Sequence, residues 1–329
     1  MKSAVVFGCT GQDGGILVKL LLEKGYRVIG AKRRSSAINS SFRIDDVYNH
    51  ENFSVEYFDL CDFSSIFRII SNYKPDECYN LAAQSHVKAS FDVPENTLNG
   101  IINGTLNILE SIRIINPKIK FYQASSSEMF GNNSDIPKNG YDETSTFIPI
   151  SPYAIAKVAA HSITNMYKNS YGLFASCGIL FNHEGETRSE TFVTKKITTG
   201  IAKIKLGMEN CLELGNLDSS RDWGYAPEYC DAIFKILQQD KPDNFVISTG
   251  KSYTVREFLE FVTKYAGLDD VYKYIRINPK YYRPEDVNFL CGNNEKARKK
   301  LNWQPTKTMQ DIAKIMYDYD YGKLKNVKT

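Results

Sequence analysis

The stretch SAVVFGCTGQDGGILVKLLLEKG, Ser3 to Gly25, decides the fold. A continuous apolar run, Ser3 to Phe7, leads straight into Gly8, Gly11 and Gly14, and then into residues with helical apolar spacing. Glycines permit the tight turn and let the backbone approach a pyrophosphate lying at the helix N-terminus. A plain glycine-rich turn is the weaker alternative, because this pattern both follows a strand and opens a helix. Thr10, Gln12 and Asp13 belong to the same turn and are grouped with the three glycines as dinucleotide-contacting residues.

Working outward, apolar runs alternate with helical patterns. Strands are expected at Arg27 to Ala31, Ser54 to Leu60, Glu77 to Ala83, KFYQASS (120–126) and Phe174 to Phe181, with helical segments between them. Strands that are apolar throughout, alternating with helices, imply a parallel sheet covered on both faces. The later chain is richer in turns and isolated helices such as VREFLEFVTKYAG, and returns to the sheet near Asn244 to Thr249. The expectation is an α/β chain: a Rossmann-type, doubly wound parallel sheet over 1–182 with a return near 221–255. A smaller mixed α/β substrate lobe would be built from 183–220 and 256–329.

Bulk properties exclude several classes. Of 329 residues 42% are hydrophobic, and Lys+Arg minus Asp+Glu is 41 − 38 = +3, so charge suggests neither a nucleic-acid nor a membrane partner. No apolar run approaches the roughly 20 residues that span a bilayer. The seven cysteines are scattered without CxxC, as expected of free thiols in a reducing cytoplasm. With four histidines and no paired Cys/His spacing, no metal is expected.

The end of the second strand discriminates between dinucleotides. NAD sites usually place an acid there for the ribose 2′-OH. This chain has Lys32, Arg33, Arg34, Ser35 and Ser36 instead. A guanidinium fork suits a 2′-phosphate, so NADP is favoured. Asp59 and Leu60 end the third strand, near the adenine. Leu81, Ala82, Ala83, Gln84 and Ser85 end the fourth, at the carboxyl edge where such cofactors lie, with Ser85 also placed on the substrate side.

Chemistry is carried by two further segments. In SPYAIAK, Tyr153 and Lys157 are four apart and share a helix face. A nearby ammonium lowers a phenol's pKa, making the tyrosine a usable base. In FYQASSSEMFG, Phe121 to Gly131, three serines precede Glu128. Ser125 and Glu128 spell SxxE, a capping box. Beside YxxxK, however, proton transfer is the better reading of Glu128. Loss of water across a sugar's C5–C6 bond needs a group that takes the C5 proton and delivers one to the departing C6 hydroxyl, and one carboxyl can do both in turn.

With these residues placed, almost the full chain resembles the GDP-mannose 4,6-dehydratases, a family of extended short-chain dehydrogenase/reductases. LAAQSHVKASFD, FYQASSSE, SPYAIAK, ILFNHE, FVTKKI, GNLDSSRDWG and YYRP carry the resemblance. It implies an enzyme, a hydro-lyase that recycles its NADP hydride internally and turns GDP-D-mannose into GDP-4-keto-6-deoxy-D-mannose. By the resemblance Ser126, Glu128, Tyr153 and Lys157 are catalytic, and Ser127 touches the substrate. His183 and Arg188 match cofactor-binding positions. Asn182, Lys196, Arg221 and Arg283 match GDP-sugar contacts, and Asp286 stands where the family has Glu. Ser126 replaces threonine, Tyr225 replaces histidine, Asn96 replaces a tyrosine, and NHEGETRSE departs from NHESPRRG. These changes keep GDP-manno-heptose open as an alternative substrate. A nucleotide-sugar 4-epimerase or reductase of the same fold, and a non-catalytic NADP-sensing module, are further rivals. The resemblance also implies a homotetramer, or at least a dimer, with the loop RRSSAINSSFRID crossing an interface.

Overall fold

The structure, a computed structural model, describes residues 1–36, 40–133 and 135–328. Its centre is a seven-stranded parallel sheet. The strands are β1 (Ser3–Phe7), β2 (Arg27–Lys32), β3 (Phe53–Tyr57), β4 (Glu77–Asn80), β5 (Lys120–Ser126), β6 (Ala175–Leu180) and a seventh at Phe245–Ile247. Their spatial order is β3-β2-β1-β4-β5-β6 followed by the seventh. β1 pairs with both β2 and β4, so the winding reverses beside it. In such sheets the crevice beyond the carboxyl ends of the strands at the reversal binds ligand.

Successive β1 residues serve opposite faces, as a period of two requires. Val6 enters a core with Leu17 and Leu21 of α1 (Gln12–Glu23) and Ile233 and Ile236 of α7 (Ala226–Leu237). Val5 enters the other core, with Ile66 and Ile70 of α2 (Phe63–Tyr73) and Ile108 and Ile112 of α4 (Pro94–Ile115). Tyr167 of α5 (Pro152–Tyr171) joins that core. Of the two short helices, α3 (Val87–Asp92) packs Val87 against Ala156 and Ala160 of α5, and α9 (Glu295–Leu301) adds Ala297 and Leu301 to the core that holds Val6. Each such side chain contributes roughly 1.5–3 kcal/mol on burial.

A third core joins α6 (Val193–Lys205), α8 (Val255–Tyr265) and α10 (Met309–Lys328) through Ile197, Ile201, Phe258, Val262 and Ala313. A buried ion pair between Lys195 and Asp320 fastens α6 to α10. Thr198 Oγ1 donates to Asp320 Oδ2 at 2.6 Å, and Lys195 Nζ donates to the Glu186 carbonyl at 2.7 Å. Paired short strands link this region to the sheet: Asn182–Glu184 with Trp223–Tyr225, and Ser220–Arg221 with Tyr253–Thr254. Asp222 anchors that junction, accepting from the backbone N–H groups of Thr249 at 2.8 Å and Gly250 at 2.9 Å.

β5 and α8 occupy the expected segments. β3 and β4 stop earlier than their apolar runs suggest, at Tyr57 and Asn80. The residues beyond, Phe58–Leu60 and Leu81–Ser85, leave the sheet and line the crevice instead. Among the described residues no helix is long and apolar enough to cross a membrane.

Candidate active site

A cleft of about 1280 Å³ opens at the carboxyl ends of the strands. The glycine turn forms one wall. Gly8 has φ +87°, where side chains are strained, and a Cβ on Gly14 would lie 2.2 Å from the Gly8 carbonyl oxygen. No side chain caps the N-terminus of α1, and Gly11 holds the cap position. The first N–H groups of α1 therefore face the cleft with a positive dipole end, which suits a pyrophosphate. Gln12 Oε1 is buried without a protein partner at the same turn. Thr10, Asp13, Asp59 and Leu60 also line the cleft, as do Leu81, Ala82, Ala83, Gln84 and Ser85.

Asp13 and His183 form a partly buried pair across this wall. His183 Nε2 donates to Asp13 Oδ2 at 2.8 Å, and Nδ1 faces the Phe181 carbonyl at 2.7 Å. Both ring nitrogens meet acceptors, which fits a charged imidazolium. Burial opposes that charge, but the Asp13 carboxylate outweighs it and holds His183 above its ordinary value. Burial likewise opposes the Asp13 charge, yet His183 draws Asp13 down to about 2. The stabilisation from Asp13 is thus complete above its ordinary 3.8 and lost as pH falls through about 2; that from His183 is complete below 6.5 and lost as pH rises through its raised value. Asp13→Asn should therefore lower the melting temperature by several degrees near pH 5.5 (on the order of 2 kcal/mol), with a smaller loss near pH 9, as thermal melts at the two pH values would measure.

Of the basic segment that begins at the end of β2, Lys32 and Arg33 line the cleft, whereas Arg34, Ser35 and Ser36 do not. Ala37, Ile38 and Asn39, part of the loop expected at an interface, lie outside the described residues. Arg43, further along, was not singled out by sequence. Its guanidinium donates to the carbonyls of Thr10 at 3.1 Å and Thr187 at 2.9 Å, bracing the glycine turn. Nothing local to Arg43 announces this.

The opposite wall holds the reactive groups. Ser151 caps α5 by accepting from Ala154 N–H at 3.1 Å, and Pro152 fits the first helical turn. This fixes where Tyr153 and Lys157 emerge. Tyr153, Lys157 and Glu128 are 8%, 4% and 7% exposed, so all three work in a nearly dry site. Burial pushes the Tyr153 phenol up to about 12, opposed by a hydrogen bond with Ser126 and reinforced by the Glu128 charge. The expectation that Lys157 lowers this phenol's pKa is thus corrected. Lys157 Nζ donates to the Ala124 carbonyl at 2.7 Å, 5.7 Å from the Tyr153 ring centre, and burial brings its own value down to about 8.

The capping box is also corrected. Ser126, not Ser125, caps the short turn Ser127–Phe130, accepting from Glu128 N–H at 3.2 Å. Ser125 Oγ instead meets His161 Nδ1 of α5 at 2.9 Å, tying the strand to the helix. The Glu128 side chain is thereby released toward Arg221 and Arg283, at 3.8 and 3.7 Å. Both arginines also hold Asp286, each at 3.2 Å. Ser127 lines the same cleft, as do Asn182, with its Oδ1 buried and unpartnered, and Arg188, which pairs with Glu184 at 3.0 Å. Lys196 Nζ lies 3.3 Å from the Tyr281 ring centre at the cleft margin. Asn96 also lines the cleft, whereas the Tyr225 hydroxyl donates to Glu186 at 3.1 Å.

This architecture can bind a dinucleotide along the glycine wall and present a second anionic ligand to Tyr153, Ser126 and Glu128. A family model described as GDP-mannose 4,6 dehydratase matches residues 5–316. The chain belongs to the GDP-mannose 4,6-dehydratase family. A GDP-mannose 4,6-dehydratase of Yersinia enterocolitica is 46% identical, covering 99% of this chain and 95% of its own. GDP-mannose 4,6 dehydratase 1 of Arabidopsis thaliana is 45% identical over 99% of this chain and 92% of its own. Among solved structures, dTDP-glucose 4,6-dehydratase of Bacillus anthracis in complex with NAD has the same fold, with a TM-score of 0.84, 20% identity and coverage of 99% and 98%. The fold of this chain is thus shared at low identity.

Proposed function

We propose that this chain removes water from GDP-D-mannose to form GDP-4-keto-6-deoxy-D-mannose, with NADP held in the cleft throughout. The observation that carries the reading is the buried meeting of Tyr153, Ser126 and Glu128 at one end of a cleft whose other wall is a glycine turn. Gly8, Gly11, Gly14 and the N-terminus of α1 would hold the cofactor's pyrophosphate, and Arg33 its 2′-phosphate. His183 and Arg188 would flank it.

When bound, the nicotinamide supplies one acceptor for the hydride of C4 and later returns it at C6. Tyr153 takes the O4 proton, and Lys157, one helical turn further on, would hold the cofactor beside it. Ser126 hydrogen-bonds O4 and orients it. The C4 ketone acidifies C5–H. Glu128 takes that proton and gives it to the C6 hydroxyl as water leaves; when the hydride comes back at C6, the proton that Tyr153 took from O4 restores the balance at C5. Lys196, Arg221 and Arg283 hold the diphosphate by charge-assisted bonds, with Asn182, Ser85, Ser127 and Asp286 lining the sugar side.

The reading extends to the whole molecule: a nucleotide-binding domain over 1–182 and 221–255, and a GDP-sugar lobe from 183–220 and 256–329. A cytoplasmic homotetramer, or at minimum a dimer, completes it. Exposed Ile114 on α4, and Ile155, Met166 and Tyr171 on α5, offer an apolar face for such an assembly.

Incubating the NADP-loaded protein with GDP-mannose and GDP-manno-heptose side by side, and identifying the products by mass and NMR, tests this reading. A 6-deoxy ketone from GDP-mannose is expected; a C4 epimer instead would overturn it. Arg33→Ala should weaken NADP binding by about 10- to 100-fold and leave NAD binding nearly unchanged, measured by fluorescence titration. Equal losses for both dinucleotides would remove Arg33 from the 2′-phosphate.

A further inference from the structure

Glu128 sits in a charge arrangement that the dehydration chemistry alone does not require. Arg221 and Arg283 face two carboxylates, Glu128 and Asp286, so two cations balance two anions. The two acids are not held equally. Asp286 accepts hydrogen bonds from both guanidiniums at 3.2 Å and from the Ser219 hydroxyl at 2.8 Å. The Glu128 carboxylate accepts no hydrogen bond from a described residue and is held by charge at 3.7 and 3.8 Å. Among the described residues the cluster is also faced by Tyr153 on α5, which feels the charge of Glu128, and by His86, which feels that of Arg283.

We propose that the substrate's own diphosphate converts Glu128 from a poor into an effective base. The inference rests on the reading that places the diphosphate on Arg221 and Arg283. A diphosphate diester brings two negative charges to guanidiniums that already serve two carboxylates. Phosphate oxygens take up the planar N–H forks, and the cations' hold on the carboxylates weakens. Even with Lys196 taking up one of those charges, the cluster passes from balanced to one negative charge in excess. Proton affinity then rises most at the acid with the fewest hydrogen bonds, which is Glu128. A carboxylate facing two free cations accepts a proton poorly; one deprived of them can take the proton from C5 and release it to O6. The arrangement makes base strength conditional on the ligand. A neutral sugar in the same pocket would meet a carboxylate still quenched by arginine.

Proton linkage tests this directly. Binding of GDP-mannose to the NADP-loaded Tyr153→Phe protein, which cannot turn it over, is followed by calorimetry at about pH 5 in two buffers of different ionisation enthalpy. The expected result is net proton uptake on binding, lower by roughly 0.3–0.8 proton in Tyr153→Phe/Glu128→Gln. His86 and Asp286 remain in both proteins, so the difference reads the loss of the Glu128 carboxylate. Equal uptake in the two proteins overturns the inference. No binding of GDP-mannose to the Tyr153→Phe protein overturns the functional reading instead.

Discussion

Replacing Glu128 by Gln should reduce formation of the 4-keto-6-deoxy product about 10³-fold, while NADP affinity changes less than about twofold. An amide keeps the shape of the carboxyl but cannot take the C5 proton, and general acid–base catalysis is worth about 10²–10⁴ in rate. That is about 4 kcal/mol of barrier. The variant should still carry out the first half of the reaction, because Tyr153 and Ser126 remain to handle O4. Rapid mixing of the NADP-loaded variant with GDP-mannose should therefore show reduced-nicotinamide absorbance that persists instead of decaying. Turnover at the unsubstituted rate would remove Glu128 from the chemistry. A variant with neither absorbance nor product would mean that the carboxyl acts in binding.

Tyr153→Phe should fail one step earlier. Without the phenol no group near O4 can accept its proton, and product formation should fall about 10³- to 10⁴-fold with no reduced-nicotinamide signal at any time. The two variants together separate oxidation at C4 from elimination at C5 and C6. The structure adds a condition on pH. Burial holds the phenol near 12 and Lys157 near 8 in the protein alone, so the base form of Tyr153 is scarce at neutral pH until further positive charge approaches. Tyr153 loses its proton as pH rises, so activity should climb with pH over the neutral range.

The parts of this molecule legible in sequence are those coded within one strand or one helical turn. The path from Ser3 through the glycine turn into α1 needs only local sterics. Lys120–Ser126 is legible as a short apolar run between helical patterns, and in the fold all but its first residue are buried. Tyr153 and Lys157 are brought together by helical spacing alone. What stayed hidden depends on groups distant in the chain. Arg43 reaches Thr187 across 144 positions. The SxxE pattern at Ser125 pointed to a local cap, but His161, 36 residues on, claimed that hydroxyl. The Tyr153 phenol was expected to be lowered by its helical neighbour; a carbonyl on β5 occupies the ammonium instead, and burial dominates. The early ends of β3 and β4 have the same origin, since only the assembled crevice shows why the chain leaves the sheet there.

Lys195 and Asp320 have a consequence for how the protein is made. Lys195 is the neighbour of Lys196, and its partner lies near the middle of α10, 125 residues later. A buried ammonium whose carboxylate is missing costs several kcal/mol. Until α10 has been made, Lys195, Ile197 and Ile201 stay open to water, because Asp320 and Ala313 of that helix are what cover them. The region beside Lys196 would thus be the last to close as the chain grows.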